Sequence, residues 1–132
     1  MVGLVVVSHS AKIAEGIKDM VEQLAQGQVR VEAAAGVMDG SLGTDAAAIA
    51  AAIQRADEGE GVVVFMDLGS AVLSAETALD LLPPEARGRV ILCDAPLVEG
   101  AVAAGVEASL GSDVATVRQA AEASRMLTKL GG

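Results

Sequence analysis

The chain has 132 residues, and nine Lys and Arg against 18 Asp and Glu give it a formal net charge of −9. This acidic balance excludes the basic surface that nucleic-acid binding requires and disfavours an anionic membrane as a partner. The composition is 52% hydrophobic with one Phe and neither Trp nor Tyr, so we predict one domain over residues 1–132 with an aliphatic core.

Four short apolar runs, separated by stretches with helical spacing, predict the strands of an α/β fold. The strands are expected at residues 4–7, 29–34, 62–66 and 90–93. Parallel strands need crossover connections, so this alternation indicates a parallel sheet covered by helices on both faces. We expect the strand order 2-1-3-4.

Apolar residues at helical spacing, together with start and stop residues, predict the helices between the strands. The first helix is expected to stop near Gly27, the second to follow the capping residues Thr44 and Asp45, and another to open at Pro96. The remaining boundaries are less marked. The expected helices cover residues 12–26, 46–53 and 74–82, a segment that follows Pro96, and residues 113–130.

Several features bear on the compartment in which the protein works. The single cysteine, Cys93, lies in the last apolar run and is predicted to be a buried thiol, which fits a reducing compartment. No apolar run reaches the ~20 residues that span a bilayer, and no signal-peptide pattern opens the chain. We therefore expect a cytoplasmic protein that does not contact a membrane.

Polar residues follow the first and third predicted strands, at the place where a doubly wound sheet binds its ligands. Such sites lie outside the carboxyl ends of the strands, where neighbouring connections leave in opposite directions. For the order 2-1-3-4, that place lies between strands 1 and 3. His9, the only histidine, directly follows strand 1, and Asp67 directly follows strand 3. We expect the two side chains to meet there.

The pairing of His9 with Asp67 suits phosphoryl transfer. Neutral imidazole is nucleophilic near pH 7 and forms a phosphoramidate that passes its phosphoryl group on readily, whereas serine phosphoesters are inert. Asp67 can accept a hydrogen bond from one ring nitrogen, which leaves the other nitrogen free to attack phosphorus. His9 is therefore the predicted phosphoryl acceptor, with Asp67 as the group that orients it.

Three further residues are candidates for binding the phosphoryl group. Ser70 and the backbone around Gly69 would begin the next helix, whose N-terminus favours an anion, and Thr44 would add a donor at the end of the glycine-rich loop 36–43. Capping is an equally good interpretation for Ser70 and Thr44, and the loop is either functional or a plain connection. For Ser8 and Ser10, local hydrogen bonds to the backbone are the favoured role.

Other kinds of site are excluded by the absence of their motifs. The sequence has no G-x-x-x-x-G-K-[ST] segment for a nucleotide and no G-x-S-x-G segment for a hydrolase. One His and one Cys do not make a metal site of the usual kind, so neither a metal nor another cofactor is expected. A receiver domain phosphorylated on Asp67 is an alternative with similar architecture. Such domains resemble one another in an acidic pair after strand 1, but this chain has Ser8 and His9 there, so this alternative is not favoured.

Segments that cover nearly the whole chain resemble a known family. Residues 5–16, V-V-V-S-H-S-x-x-I-A-E-G, are similar to the phosphorylation segment of mannose-type enzyme IIA domains of the sugar phosphotransferase system. Within that family, three segments resemble the phosphotransferase subunits of phosphotransferase-dependent dihydroxyacetone kinase. They are A-A-A-G-V…L-G-T-D-A (33–46), M-D-L-G-S-A-V-L-S-A-E-T-A-L-D-L-L (66–82) and L-C-D-A-P-L-V-E-G (92–100).

The resemblance implies a function and its partners. His9 would receive a phosphoryl group from the histidine phosphocarrier protein and pass it to ADP held on the nucleotide-binding subunit of dihydroxyacetone kinase. The resemblance also implies an enzyme IIA-like fold and a homodimer, and it carries Thr44, Gly69 and Ser70 over as motif matches. Because some relatives continue into further domains, this chain is either a single-domain form or part of a longer protein.

Two alternatives stay open at this point. A mannose-type component of a sugar transporter would donate its phosphoryl group to a IIB domain instead. A non-catalytic module would only bind a small anion at the helix N-terminus near Ser70, without a covalent step on His9.

Overall fold

A computed structural model of the chain describes residues 1–35 and 43–131. Within these residues, one sheet of four parallel strands has the order β2-β1-β3-β4. The strands are β1 (Gly3–Ser8), β2 (Val31–Ala35), β3 (Val62–Met66) and β4 (Val90–Leu92). The predicted α/β class and strand order are confirmed.

Helices connect the strands and cover both faces of the sheet. In the described part of the chain they are α1 (Ala11–Leu24), α2 (Ala46–Ala56), α3 (Gly69–Asp80), α4 (Pro84–Arg87), α5 (Leu97–Ser109) and α6 (Val114–Ala123), followed by a 3-10 turn at Ser124–Met126. Of these helices, none is long and apolar enough to cross a bilayer.

The central strand β1 divides the core into two layers. All six of its residues are buried, and successive side chains of a strand point to opposite faces. Leu4 and Val6 pack with α1, α5 and α6, whereas Val5 and Val7 pack with α2 and α3. The near-continuous apolar runs of the sequence follow from this burial on both faces.

The two central strands send their connections to opposite faces of the sheet. After β1 the chain enters α1 on one face, and after β3 it enters α3 on the other. Ser10 begins α1 by accepting a hydrogen bond from the Ile13 N–H at 3.3 Å. The carboxyl ends of β1 and β3 are therefore the switch point that the sequence predicted.

The last helix is much shorter than the sequence predicts. It was expected over residues 113–130, but α6 ends at Ala123 and the 3-10 turn ends at Met126. The buried face of this segment stops at Ser124, whose hydroxyl donates to the Ala121 carbonyl, and Leu130 is 93% exposed. The apolar spacing continues beyond the part that has a sheet or helix to pack against, so the prediction was wrong there.

Smaller differences concern other boundaries. The second strand starts at Val31, two residues later than expected, and α3 starts at Gly69, five residues before the predicted segment. The short helix α4 was not predicted; it begins with Pro84 at its first position, where the missing N–H of proline costs no hydrogen bond. The expected stop after α1 is present, because Gly27 adopts a φ of 73°.

Gly3 provides a test of how closely α2 approaches the sheet. A Cβ at this position would lie 2.9 Å from the carbonyl carbon of Ala56, which is backbone and cannot rotate away. We expect Gly3→Ala to lower the free energy of unfolding by about 2 kcal/mol in urea titrations. The control Gly16→Ala lies on α1 with open space around the added Cβ, and it is expected to stabilise the protein by up to about 1 kcal/mol. Equal effects of the two variants would contradict this account.

Candidate functional site

The pairing of β1 with β3 places His9 beside Asp67. Val7 and Met66 are partners in the register of the two strands, so the residues that follow them leave the sheet side by side. The Asp67 N–H donates to the Val7 carbonyl at 3.2 Å, which continues the pairing past the end of β3. The two residues that the sequence placed at the switch point are therefore neighbours.

The Asp67 carboxylate accepts hydrogen bonds from four donors. Its Oδ2 accepts from the Ser8 hydroxyl at 2.8 Å and from the His9 N–H at 2.9 Å. Its Oδ1 lies 2.8 Å from His9 Nδ1 and accepts from the Leu68 N–H at 2.7 Å. An ionised carboxylate offers about four lone-pair positions, so these contacts leave it little freedom to rotate.

The same contacts keep Asp67 ionised. Burial of the side chain, which is 16% exposed, acts to raise the pKa of Asp67. The hydrogen bonds from the His9 N–H, the His9 ring, the Ser8 hydroxyl and the Leu68 N–H together outweigh burial and lower this pKa below its usual 3.8. Near neutral pH the side chain is therefore an acceptor only.

The ring of His9 is held at both nitrogens. Because ionised Asp67 accepts and does not donate, Nδ1 carries the proton in their 2.8 Å contact when the ring is neutral. Nε2 then bears the lone pair, and the Ser70 hydroxyl lies within hydrogen-bond distance of it. The side chain of His9 is 20% exposed, so a group on another molecule can reach Nε2.

Ser70 and Gly69 lie where the sequence placed them, at the start of α3. Gly69 is the first residue of the helix and Ser70 the second, and Leu68 occupies the N-cap position without a side-chain cap bond. Capping is therefore not the role of Ser70, whose hydroxyl contacts His9. The first N–H groups of a helix have no partner within it, and the Ser70 hydroxyl that contacts Nε2 belongs to this first turn.

Of the two roles that the sequence left open for Thr44, the structure does not support the capping of α2. Its hydroxyl contacts the Ser74 hydroxyl at 2.6 Å, one helical turn beyond Ser70, and the side chain of Asp45 is the one that caps α2. Next to Thr44, the Gly43 N–H donates to the His9 carbonyl at 3.1 Å, and this hydrogen bond connects the segment to the site. Residues 36–42, the body of the predicted functional loop, lie outside the described residues.

Local hydrogen bonds were predicted for Ser8 and Ser10, and both residues make them, but Ser8 also has a second role. Ser10 caps α1 through its side chain. Ser8 accepts from the Ser10 N–H at 3.1 Å, as predicted, but it also donates to Asp67. A signal for this second role was present in the sequence, because a hydroxyl that ends a fully apolar strand is buried and needs an acceptor.

A cavity of about 400 Å³ opens next to the site, between α3 and the end of β4. Its lining includes the carboxylates of Asp67, Glu76 and Asp94, which disfavour a phosphate or nucleotide there. Cys93 also lines the cavity; it is 2% exposed, as predicted for a buried thiol. Burial raises the pKa of Cys93 to about 11, so the thiol is a poor nucleophile.

Comparison with known proteins gives a family and several relatives. Residues 3–118 match the EIIA-man family, described as the PTS system fructose IIA component. The phosphoryl donor subunit DhaM of the PEP-dependent dihydroxyacetone kinase of Escherichia coli is 47% identical over 117 residues, which are 86% of this chain and 25% of that protein. This chain thus spans about a quarter of the length of the first relatives that it matches.

A shorter relative matches over most of its own length. The phosphoryl donor subunit DhaM of PEP-dependent dihydroxyacetone kinase 2 of Listeria innocua is 45% identical over 81% of this chain and 86% of that protein. Among solved structures, the protein EF1359, of unknown function, has a TM-score of 0.81 and 41% identity, with 92% of both chains covered. The phosphotransferase system component EIIA from Streptococcus agalactiae has a TM-score of 0.67 at 16% identity over 94% of this chain and 92% of its own, which shows the fold alone.

The low pKa of Asp67 predicts how its contribution to stability depends on pH. A carboxylate whose folded-state pKa is lowered stabilises the fold above its unfolded value of 3.8 and loses this effect as the pH falls through the folded-state pKa. At pH 6 we expect Asp67→Asn to reduce the free energy of unfolding by about 2 kcal/mol, because hydrogen bonds to a charged group are lost. Below pH 3.8 the difference from the original protein should shrink. Denaturant titrations from pH 6 to pH 2 measure it, with the exposed Asp19→Asn as control; a difference that stays constant over this range would contradict the argument.

Proposed function

The chain belongs to the EIIA-man family, and on that premise we propose that it is a phosphoryl carrier that works through His9. The observation that carries the proposal is the ring of His9, which Asp67 contacts at Nδ1 and the Ser70 hydroxyl contacts at Nε2, and whose side chain is 20% exposed to a partner. No other side chain in the described part of the site combines nucleophilicity near neutral pH with this exposure.

Nε2 is the atom that receives the phosphoryl group. Its lone pair attacks phosphorus on the donor's phosphohistidine, the new N–P bond forms, and the donor's N–P bond breaks with its electron pair kept by the donor's ring. The proton on Nδ1 stays in place, so the phosphorylated ring is positively charged. Asp67 stabilises this charge through the 2.8 Å contact.

Ser70 and the start of α3 bind the transferred group. In the resting protein the Ser70 hydroxyl contacts Nε2, and after transfer it is placed to donate to an oxygen of the phosphoryl group instead. The unpaired N–H groups and the positive dipole end of α3 favour the same anion. Gly69, at the first position of the helix, leaves open space beside it, so the phosphoryl oxygens can approach the backbone.

Thr44 plays an indirect part in this proposal. Its contact with Ser74 joins the end of the 36–43 loop to α3, which supports the segment that carries Ser70. Direct binding of the phosphoryl group by Thr44 is not part of the proposal, because its hydroxyl is directed to Ser74.

The relatives named above support a proposal for the partners. We propose that the phosphoryl group comes from the histidine phosphocarrier protein of the phosphotransferase system and goes to ADP on the nucleotide-binding subunit of a dihydroxyacetone kinase. Both relatives are described as phosphoryl donor subunits of such a kinase. Exposed apolar side chains flank the site, Ile13 at 51% and Leu68 at 64%, and they offer a contact surface for protein partners. A homodimer, as the family resemblance implies, is part of the same proposal.

A second acceptor is considered because the family description refers to a sugar transport system, the fructose IIA component. In that case His9 would donate to a IIB domain. The identities of 45% and 47% to kinase subunits favour the kinase as the acceptor.

The proposal predicts one labelled residue. Incubation with enzyme I, the phosphocarrier and phosphoenolpyruvate should add a single acid-labile phosphoryl group, detected by intact mass, and His9→Ala should lose it entirely. The phosphorylated protein is then offered the ADP-bearing subunit and a IIB domain separately. Labelling of His9→Ala at the original level would rule out the carrier role, and transfer to the IIB domain alone would rule out the kinase as acceptor. Anion binding that survives in His9→Ala, together with no label on the original protein, would identify a non-catalytic module.

A second prediction concerns the contribution of Asp67 to the rate. We expect Asp67→Asn to accept the phosphoryl group roughly a hundredfold more slowly, because an amide brings no negative charge to the ring and presents an N–H to Nδ1. The matched control is Asp113→Asn, which caps α6 on another part of the molecule, where Asn serves about as well as Asp. Rapid-quench measurement of single-turnover rates compares the two. An Asp67→Asn protein that transfers at the original rate would remove Asp67 from the mechanism.

A further inference from the structure

Ser8, at the end of β1, is a buried polar residue whose hydroxyl bonds to a distant part of the chain. Among the described residues, two polar residues are buried, Ser8 at 0% exposure and Ser124 at 5%. Ser124 donates to the Ala121 carbonyl in its own helical segment. Ser8, in contrast, makes a contact across the sheet, from the end of β1 to the residue that follows β3.

The direction of the Ser8 hydrogen bonds is determined by its neighbours. The Ser10 N–H can only donate, so the Ser8 oxygen accepts in their 3.1 Å contact. Asp67 is ionised and can only accept, so the Ser8 proton points to Oδ2 at 2.8 Å. The hydroxyl is thus fixed at both ends, with one donor and one acceptor, and cannot rotate without losing a bond in a buried place.

We infer that Ser8 is a positioning residue for phosphoryl transfer, which acts on His9 through Asp67; the inference rests on the proposed function. The Ser8 hydroxyl and the His9 N–H both donate to Oδ2, while Oδ1 lies 2.8 Å from Nδ1 of the ring. Ser8 itself is buried and does not touch the transferred group.

The consequence of this arrangement is a single tautomer of the ring. As long as Oδ1 faces Nδ1, the proton stays on Nδ1 and the lone pair on Nε2. Without the Ser8 proton, Oδ2 keeps the His9 N–H and Oδ1 keeps the Leu68 N–H, and the carboxylate is held less firmly against the ring. The ring then also populates the tautomer with the proton on Nε2, which cannot attack phosphorus.

A purely structural role for Ser8 makes a different prediction. If its hydroxyl served only as an acceptor for the Ser10 N–H, loss of the hydroxyl would loosen the start of α1 and leave the ring unchanged. Ser10→Ala is a suitable comparison, because it removes the side-chain cap of α1 and leaves the Ser8 contact with Asp67 in place. A structural role of Ser8 therefore predicts a change in stability alone, whereas a positioning role predicts a change in the tautomer of the His9 ring.

The experiment uses Ser8→Ala, Ser8→Thr and Ser10→Ala in the full chain. Because His9 is the only histidine, 15N NMR of the imidazole reports its tautomer without assignment problems and without any partner. We expect one tautomer in the original protein and in Ser8→Thr, which keeps a hydroxyl, and a mixture in Ser8→Ala. Phosphoryl uptake by Ser8→Ala should be roughly tenfold slower in kcat, with KM for the phosphocarrier unchanged. Ser10→Ala should lower the melting temperature and leave the ring and kcat as they are.

The outcomes separate this inference from the proposed function. A Ser8→Ala protein with the original tautomer would overturn the inference, and so would a Ser8→Thr protein of normal melting temperature that behaves like Ser8→Ala. If the original protein took up no phosphoryl group, the proposed function would fail. A mixed tautomer in Ser8→Ala would still show that Ser8 positions the ring through Asp67.

Discussion

The hydrogen bonds of the Asp67 carboxylate join the ends of the two central strands, and the geometry of the candidate site depends on them. Both oxygens are engaged, Oδ2 by donors from the β1 side and Oδ1 by the ring and the Leu68 N–H. The partly buried charge is stable because each lone pair has a donor, and these hydrogen bonds also lower the pKa of the carboxyl. A carboxylate with all of these hydrogen bonds has little freedom to rotate, and it restricts the His9 ring that it contacts.

The core explains why these strand ends stay in place. β1 is buried along its whole length between two helical layers, and the side chains that pack on it from α2, α3 and α5 are mostly alanines. Small side chains allow the helices to approach the sheet and one another closely. A Cβ added to Gly105 on α5, for example, would lie 2.5 Å from Cγ1 of Val21 on α1. Close packing resists local movement. The ends of β1 and β3 are therefore held in place, and so are the residues that directly follow them.

The charges around the site suit a group that arrives on another protein. The lining of the adjoining cavity includes Asp67, Glu76 and Asp94, and the chain as a whole carries a net charge of −9. These negative charges disfavour the binding of free phosphate or a free nucleotide in the cavity. The proposed function instead places the phosphoryl group at Nε2 and the start of α3, next to this acidic region. Exposed Ile13 and Leu68 beside it provide apolar contact area for a partner.

The sequence by itself determined the family, which the comparisons confirm, and it determined the α/β class and the strand order. It also determined that His9 lies beside Asp67, since parallel strands bring their carboxyl ends to one edge of the sheet. Tertiary structure decided what depends on burial and on distance across the sheet. It ended α6 at Ala123, where the packing surface ends, and it directed Thr44 to Ser74. It also gave Ser8 a bond to a carboxylate 59 residues away. A local pattern cannot show such a bond, because the partner of a buried hydroxyl is chosen by whichever acceptor the fold brings within reach.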